Sequence, residues 1–306
     1  MKKNLIGLWI LLSFIIMGIF VTAGCTPGTG QKQPGPQAGT VQQTPSSEEM
    51  SVHILDIGQG DAILIGRAGE WALIDSGDVD HRTQMKAYLQ KYGVKELKTV
   101  IITHPHADHL GGMYAVFQSV KVDRIYDDGQ ITTTSTYRNY LKEIKKRNIP
   151  YDTLKAGETV ALVEGVPFEI LGPVKAAKDG QGHPDLNNCS IVGRITYGKF
   201  SMLLTGDAEK EEENSILQTY RSHLKSDVLK VGHHGSRTSS GISFLTAVKP
   251  QAAVISAGAG NSYGLPHDIT LKNLEKMSVS IYRTDRDGTI TVRTDGIKYT
   301  LGKEHS

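Results

Sequence analysis

The feature that most constrains this chain is a dense group of potential metal ligands that directly follows an apolar run. Residues 100–103 are Val-Ile-Ile-Thr, and His104, His106, Asp108 and His109 lie within the next six positions. The β-branched run predicts a buried strand, so the four side chains should leave a strand end together. Imidazole and carboxylate suit zinc, manganese or iron better than magnesium or calcium. We therefore predict a metal centre here, in preference to a histidine-rich surface loop.

The spacing of these side chains suggests two ions. His104 and His106 flank a proline, which fixes its own φ and disfavours helical backbone at the residue before it. In an extended loop both imidazoles can point the same way and bind one ion. Asp108 and His109 come where the chain turns into a helix, so we expect them to face a second ion beside the first.

Side chains at other strand ends are further candidates. They are Asp75, Asp207 and the pair His233 and His234, each of which follows an apolar run and lies near a glycine. We expect Asp207 to bridge the two ions, although an aspartate here also commonly caps the following helix. We assign His233 to the second ion. Asp75 is better suited to orient a ligand histidine than to bind metal, and Asp56 either supports the site in the same way or stabilises a turn.

Two more sets of residues are expected to act on the substrate. Asp108 and His234 are the predicted catalytic residues, His234 as a hydrogen-bond donor to the substrate or as an acid. Ser236 and Arg237 offer a hydroxyl and a guanidinium beside the amides of the next helix, which together can hold an anion. A capped helix start with solvated serines is the alternative interpretation.

Strand and helix patterns alternate along most of the chain. Three short apolar runs between residues 52 and 74 are separated by glycine turns, which predicts a β-meander. Helical spacing follows at residues 82–92, after residue 110 and at 135–147, a hairpin turn is expected at 198–199, and a last strand pair around 287–288. The alternation predicts an α/β (α+β) domain of two mixed sheets with helices outside them.

The first 50 residues predict export and a tether. Residues 1–24 combine two lysines, an apolar stretch and small residues, as a secretory signal does, and Cys25 after Ala-Gly resembles the lipobox of bacterial lipoproteins. By that resemblance Cys25 is lipidated; an uncleaved membrane helix and an ordinary cleaved signal are the alternatives. Residues 25–50 predict a flexible tether, and residues 51–306 predict the folded domain that carries the candidate ligands. Each alternative puts the domain outside the cytoplasmic membrane, and lipidation would anchor it there.

Charge and cysteine content limit the kinds of partner. Lys2 and Lys3 account for the formal net charge of +2, because the leader contains no acidic residue. The remaining chain is formally neutral, whereas proteins that bind long nucleic acid through their overall field are usually basic. Any affinity for phosphate must therefore be local. Cys189 is the only other cysteine, so with Cys25 lipidated no internal disulfide is expected.

Longer strings point to a family. The cluster at residues 104–109, together with Asp207, resembles the metallo-β-lactamase fold superfamily, whose fold is an αββα sandwich. Seven strings over residues 50–296 are similar to the soluble hydrolase domain of the ComEC family of competence DNA-uptake proteins. They are DIGQGD (56–61), THPHADH (103–109), NNCS (187–190), LTGDAE (204–209), KVGHHGS (230–236), NSYGLPH (261–267) and RTD (283–285). The membrane channel of that family has no counterpart here, so we expect the hydrolase part alone, with a separate channel protein as a possible partner.

The resemblance implies a metal-dependent hydrolase. It would hold two divalent ions, zinc or manganese, and cleave phosphodiesters of extracellular DNA through a metal-bridged hydroxide. It also implies that Asn188 and His267 contact the substrate. Related enzymes usually have one more histidine before the bridging aspartate; the only candidate here is His183, so the first ion site is expected to be weaker. Leu265 stands where the family commonly has histidine.

Two other functions remain open at this point. A cell-wall phosphoester, such as a teichoic acid carrying phosphocholine, or a lactone or lactam could be the substrate. A choline ester would call for an aromatic box, for which Tyr126, Tyr137, Tyr140 and Tyr263 are available. A non-catalytic DNA receptor on the same scaffold is the second alternative. The oligomeric state is not indicated by the sequence.

Overall fold

Together with eight α-helices, seventeen strands make up nearly all of the regular structure in this computed structural model, which describes residues 49–305. Their bounds are β1 Met50–Ile54, β2 Ile63–Arg67, β3 Glu70–Ile74, β4 Glu96–Leu97, β5 Thr99–Ile102, β6 Lys121–Val122, β7 Ile125–Asp127, β8 Tyr151–Thr153, β9 Thr159–Val163, β10 Val166–Gly172, β11 Val192–Tyr197, β12 Phe200–Leu204, β13 Val228–Lys230, β14 Ala252–Ile255, β15 Ser280–Arg283, β16 Ile290–Thr294 and β17 Tyr299–Lys303.

The strands form two large mixed sheets and one short pair. The first sheet has the order β17-β16-β1-β2-β3-β5-β7-β8, and the second has the order β15-β14-β13-β12-β11-β10-β9. Strands β3, β5, β7 and β8 are parallel neighbours, and so are β12, β13, β14 and β15. The remaining neighbours in both sheets are antiparallel. Each sheet therefore has a parallel half whose carboxyl ends share one edge.

Eight helices connect these strands. Their bounds are α1 Arg82–Lys91, α2 Ala107–Leu110, α3 Met113–Ser119, α4 Ser135–Arg147, α5 Lys210–Tyr220, α6 Ile242–Val248, α7 Asp268–Lys276 and α8 Thr284–Asp287. Helix α4 shows why such a segment begins and ends where it does. Thr134 accepts a hydrogen bond from the Tyr137 amide at its start, and Asn148 adopts a left-handed φ of 52° at its end.

The layers follow from the location of the apolar side chains. One cluster lies between the two sheets and includes Val52, Ile65, Met202 and Val254. A second cluster packs α1, α3 and α4 on the outside of the first sheet, and a third packs α5, α6 and α7 on the outside of the second. Removal of this apolar surface from water is the main driving force for such a sandwich.

The predicted fold class is confirmed, with two local differences. The helix expected after residue 110 is split into α2 and α3 at Gly112, where the chain passes so close to the Ser76 carbonyl that a side chain would overlap it. The last strand pair was placed around residues 287–288, which is wrong. Those residues end α8, and the turn between β16 and β17 lies at Asp295, whose carboxylate accepts the amides of Ile297 and Lys298.

The export signal at 1–24, Cys25 and nearly all of the tether at 25–50 lie outside the described residues. Strand β1 begins at Met50, next to the expected start of the domain. Over residues 49–305, no helix has the length and apolar character needed to cross a bilayer.

Candidate metal centre

Side chains from four separate strand ends meet at one edge of the sandwich. Asp75 follows β3 and residues 104–109 follow its parallel neighbour β5, while Asp207 follows β12 and His234 follows the parallel neighbour β13. Carboxyl ends of parallel neighbours share an edge, which is where sites in α/β sheets commonly form. The two halves meet where His109 Nε2 lies 3.3 Å from Asp207 Oδ2.

One group of four side chains could hold a single ion. The ligand atoms of Asp108, His109, Asp207 and His234 lie within 4.8 Å of one another. His234 Nε2 is 3.4 Å from Asp108 Oδ2 and 3.6 Å from Asp207 Oδ2. Two imidazoles and two carboxylates at this spacing suit a divalent transition metal.

A second group shares Asp207 with the first. His104 Nε2 lies 2.9 Å from His106 Nδ1 and 3.9 Å from Asp207 Oδ2. The rings of His104 and His109 have centroids 4.1 Å apart, so the two groups are contiguous. Asp207 Oδ2 therefore lies within 4 Å of imidazole nitrogens from both groups, as a carboxylate that contacts two ions must.

Hydrogen bonds behind three of the rings fix their orientation. His109 Nδ1 is 2.7 Å from Asp75 Oδ2, and His234 Nδ1 is 3.1 Å from the Ser256 carbonyl. His104 Nδ1 faces the hydroxyl of Thr103 at 3.2 Å. In each case Nε2 is left to point into the shared space, which is the arrangement of an imidazole held ready for a metal.

Unpartnered buried atoms show that the site fits a cation. His109 Nε2, His234 Nε2 and Asp207 Oδ1 have no hydrogen-bond partner among residues 49–305, and these three residues are at most 2% exposed. Buried polar atoms without partners are costly, and most in folded proteins are satisfied. Because these three residues belong to one ligand group, one bound divalent ion would satisfy them together.

Asp75 supports this arrangement from behind. Its Oδ1 accepts the Thr103 amide at 2.8 Å, and its Oδ2 accepts the Thr103 hydroxyl and His109 Nδ1, both at 2.7 Å. Burial raises the pKa of Asp75, against the lowering effect of His109. Gly206, directly before Asp207, has a φ of +48°, and a Cβ there would lie 3.1 Å from the Cβ atoms of Ser190 and Thr103. A larger residue would strain this corner.

Three carboxylates surround His109 at the centre of the site. Burial opposes a charge on His109, but Asp207, Asp75 and Asp108 around it raise its pKa well above the usual value. Burial likewise opposes ionisation of Asp207, but His109 and His234 lower its pKa well below the usual range. The carboxylates thus attract positive charge into the centre, and a divalent cation supplies more of it than a proton does.

The structure corrects the assignment within the histidine pair. His234, not the predicted His233, joins the ligand group, with Nε2 facing Asp108 and Asp207. The side chain of His233 is 25% exposed, and its Nδ1 lies 2.9 Å from Glu209 Oε1. Both residues have positive φ angles of 47° and 52°, so neither follows the alternation of a strand. His233 is nevertheless close, with Nε2 3.8 Å from Asp207 Oδ2.

Two residues expected to touch the substrate are engaged within the protein. Asn188 is buried; its Oδ1 accepts the amides of Glu209 and Glu212, and its Nδ2 donates to Asp185. It therefore caps the start of α5. Ser236 is also buried, with its hydroxyl 2.8 Å from the Thr238 hydroxyl. Both side chains thus have partners within the protein, and their contact with substrate stays a prediction.

Arg237 and His267 lie together on the accessible side of the site. The amide of Arg237 donates to His267 Nδ1 at 3.0 Å, and the Arg237 side chain is exposed. Burial, with Arg237 and His233 nearby, lowers the pKa of His267. We call Arg237, His267 and His233 the basic rim.

Asp56 does not contact the histidines. Its carboxylate accepts the Gly58 amide, and its carbonyl accepts the Tyr88 hydroxyl at 3.0 Å. Asp56 therefore stabilises the turn after β1, which is one of the two roles that the sequence left open.

Among the described residues, no third histidine joins His104 and His106 in the second group. His183 pairs with Asp179 at 3.4 Å in an exposed turn. Ser190, from the NNCS string, instead places its hydroxyl 3.3 Å from His104 Nδ1 and accepts the Asp207 amide at 3.1 Å. The NNCS string thus positions two ligand residues.

Sequence reasoning missed a buried ion pair beside the site. Lys230 Nζ lies 2.8 Å from Asp61 Oδ2, and the two side chains are 0% and 1% exposed. Sequence patterns alone assign these two residues no role at the site beyond their places in the strings DIGQGD and KVGHHGS. A charged residue inside the apolar run at 227–231 was the one available signal, because a buried lysine requires a partner.

Comparisons with known proteins agree with this geometry. The sequence profile described as the metallo-beta-lactamase superfamily matches residues 55–259. The chain is 31% identical over 265 residues to ComE operon protein 3 of Bacillus subtilis, which covers 81% of this chain and 33% of that protein. It is 30% identical over 257 residues to competence protein ComA of Neisseria gonorrhoeae, covering 83% of this chain and 34% of that protein. The chain thus spans about a third of the length of these relatives.

A solved structure shares the fold. The metallo-beta-lactamase fold protein YhfI from Bacillus subtilis matches with a TM-score of 0.54 at 12% identity, covering 79% of this chain and 99% of that chain. At this identity the likeness concerns the fold alone.

Proposed function

This chain belongs to the metallo-beta-lactamase superfamily, whose members are typically metal-dependent hydrolases, and from that premise we propose that it is a phosphodiesterase that cleaves DNA. The observation that carries the proposal is the set of buried, unpartnered atoms on His109, His234 and Asp207. These atoms belong to side chains that follow strands of both sheets, and together they fit one divalent cation, zinc or manganese. The group of His104, His106 and Asp207 beside them would take a second.

The proposed ligand sets follow from the distances. Asp108, His109, Asp207 and His234 would hold one ion, and His104, His106 and Asp207 the other, with fewer protein ligands for the second set. Bound divalent cations supply Lewis acidity and lower the pKa of water to near neutrality. The contribution of the chain is to fix the imidazoles through their Nδ1 partners, so that each Nε2 faces the ion site.

The basic rim supports an anionic substrate. Since His267 accepts a hydrogen bond at Nδ1, its proton is on Nε2, which can donate to a phosphate oxygen. The exposed guanidinium of Arg237 can contact a second oxygen. Because His234 belongs to the ligand set, we assign the role of acid to His233 instead. Glu209 orients His233, which can donate a proton to the departing oxygen.

The aromatic side chains favour a nucleic acid over a choline ester. Tyr137 and Tyr140 are buried in the helical layer with Phe117. The ring of Tyr126 contacts the Arg124 guanidinium, with 5.8 Å from ring centroid to Cζ. These tyrosines do not form the shared box that a quaternary ammonium group requires. The names of the relatives, ComE operon protein 3 and competence protein ComA, also support DNA as the substrate.

Location and partners are part of the same proposal. The apolar leader and Cys25 support export and lipid anchoring at the membrane, so that the hydrolase meets DNA outside the cell. A separate channel protein is the proposed partner, as the similarity to competence proteins implies.

Cleavage assays test the proposal directly. The metal-free chain is loaded with Mn²⁺ or Zn²⁺ and incubated with plasmid and linear DNA, a bis-aryl phosphodiester and p-nitrophenyl phosphocholine. We expect DNA and diester cleavage by the wild type and a loss of at least 100-fold in His106→Ala, in line with the size of metal contributions to hydrolysis. His223→Ala, an exposed histidine paired with Glu169, is the matched control and should keep wild-type activity.

Two results would refute the proposal. One is equal DNA cleavage by the wild type and His106→Ala. The other is a metal-loaded wild type that hydrolyses the phosphocholine ester and leaves DNA and the diester intact. DNA binding by a chain that takes up no metal would favour a receptor instead.

A further inference from the structure

A fully buried lysine lies next to the proposed metal centre. Lys230, the last residue of β13, donates from Nζ to Asp61 Oδ2 at 2.8 Å and to the Val231 carbonyl at 3.0 Å. Taking an ammonium and a carboxylate out of water is expensive, and apolar side chains of similar size are often as stable in such positions. The position of this pair, rather than its contribution to stability, therefore calls for an explanation.

The pair joins the two halves of the site. Asp61 lies between β1 and β2 of the first sheet, and its amide donates to the Asp108 carbonyl at 3.1 Å. Its own carbonyl accepts the Gly77 amide at 2.8 Å. Lys230 belongs to the second sheet and lies four positions before His234. The ion pair thus connects the backbone that carries Asp108 to the backbone that carries His234.

The pair also bears on the ring of His234. Asp61 Oδ1 lies 3.6 Å from His234 Nδ1, while the Ser256 carbonyl lies nearer, at 3.1 Å. Asp61 Oδ2 is held by Lys230, and Oδ1 has no hydrogen-bond partner within residues 49–305. With the carboxylate held there, the ring keeps its bond to Ser256 and presents Nε2 to Asp108 and Asp207.

The backbone at this point needs such support. The backbone of His233 and His234 is in the left-handed region, with φ angles of 47° and 52°. This conformation is unfavourable for residues other than glycine. Two consecutive residues of this kind persist only when the surroundings determine the conformation. Lys230 holds the chain shortly before this corner, and Ser256 holds the ring of His234 itself.

We infer that Lys230 and Asp61 are positioning residues that set the register between the two sheets and the orientation of His234, and thereby create the ion site of Asp108, His109, Asp207 and His234. The inference rests on the proposed metal centre. If Lys230 and Asp61 have this role, removal of both charges weakens metal binding even in a variant that folds normally.

The test compares metal affinity with stability in the same proteins. Lys230→Met alone leaves a buried carboxylate uncompensated and is expected to destabilise the fold. The double variant Lys230→Met/Asp61→Asn removes both charges together, so it is the decisive protein. The control Lys98→Met/Asp123→Asn removes a half-exposed pair whose atoms are 3.2 Å apart. Metal-free full-length chains are titrated with Co²⁺ by calorimetry, and urea unfolding is measured without metal.

We expect the double variant to bind Co²⁺ 10- to 100-fold more weakly than the wild type, the range typical for loss of groups that orient ligands. The control pair should bind as the wild type does. Wild-type affinity in the double variant would overturn the inference and leave the metal centre standing. A wild type that binds no Co²⁺ would overturn both. An affinity loss matched by the same loss of unfolding stability, with both restored at low temperature, would show that the pair only stabilises the fold and would also overturn the inference.

Discussion

For the individual residues, the main question at this site is which nitrogen of each histidine faces the metal. His109, His234 and His104 each have a polar partner at Nδ1: a carboxylate, a carbonyl and a hydroxyl, respectively. A partner at Nδ1 selects the tautomer whose Nε2 lone pair is free for a metal. The ligand set therefore depends on residues that do not themselves face the ions.

Asp75 is the residue where this dependence is easiest to measure. It accepts three hydrogen bonds, two from Thr103 and one from His109 Nδ1. In Asp75→Asn the amide nitrogen faces one of these donors, so at least one bond is lost and the ring of His109 is less constrained. We expect 10- to 100-fold weaker Mn²⁺ binding, measured by calorimetry.

The same variant should lose about 1–3 kcal/mol of unfolding free energy because a buried donor is left unpaired. Asp80→Asn, an exposed aspartate five positions along the chain, should change neither quantity. Unchanged Mn²⁺ affinity in Asp75→Asn would contradict the supporting role of Asp75.

The site could be predicted from the sequence only where its residues are neighbours in the chain. Residues 104–109 carry four candidate ligands in six positions, so local spacing was sufficient to identify them. The pair of Lys230 and Asp61 depends on how two sheets pack, which no local pattern encodes. The choice between His233 and His234 depends on two unusual φ angles, which are likewise set by the folded surroundings.

Helix α5 shows how an element outside the site is tied to it. Glu212 accepts the Val174 amide at 2.8 Å, and Glu213 accepts the Gly241 amide at 3.0 Å and the Ser240 amide. Burial is the main cause that raises the pKa of each glutamate to about 7. Helix α5 begins three positions after Asp207, and α6 begins eight positions after His234. The contacts of Glu213 with Ser240 and Gly241 therefore join α5 to the start of α6.

These glutamates predict a pH dependence of stability. Their folded pKa lies above the ordinary 4.5, so their stabilising contribution is complete below pH 4.5 and is lost as the pH rises through about 7. For Glu213, which is 3% exposed, a shift of this size corresponds to roughly 3 kcal/mol. Between pH 4.5 and 8 the unfolding free energy of the wild type should fall. In Glu213→Gln this fall should be smaller than in the wild type by roughly 3 kcal/mol.

Urea unfolding of the metal-free protein across this range measures the effect. Glu211→Gln is the matched control, because Glu211 is exposed on the same helix. A pH profile of Glu213→Gln parallel to that of the wild type would contradict the assignment.

Most elements could be predicted because their signals are local. Helix α4 was predicted at its observed bounds, and the hairpin between β11 and β12 has the expected turn at Gly198 and Lys199. The last strand pair was misplaced because the string at 283–288 forms side-chain contacts of its own, in which Asp287 accepts the Arg283 amide at 3.0 Å. A turn-like sequence does not reveal whether it joins two strands or ends a short helix.

The whole molecule places its candidate ligands on two sheets that share one apolar core. Asp108 and His109 come from the first sheet, and Asp207 and His234 from the second. An ion held by all four is bound by the folded state and not by the unfolded chain, in which Asp207 and His234 are far from each other and from Asp108 and His109. Metal binding and global stability are therefore linked.

We accordingly expect Mn²⁺ to raise the melting temperature of the chain and EDTA to remove the effect. At a free ion concentration of 100 times Kd, one site adds about 2.7 kcal/mol, which for a domain of this size is roughly 5–10 °C. In Asp207→Asn, which alters the carboxylate within 4 Å of both groups of imidazoles, most of the shift should disappear. Asp152→Asn, on the surface beside Arg124, should keep the full shift. Scanning calorimetry with and without Mn²⁺ decides the matter, since equal melting temperatures at saturating metal would mean that no ion links the two sheets.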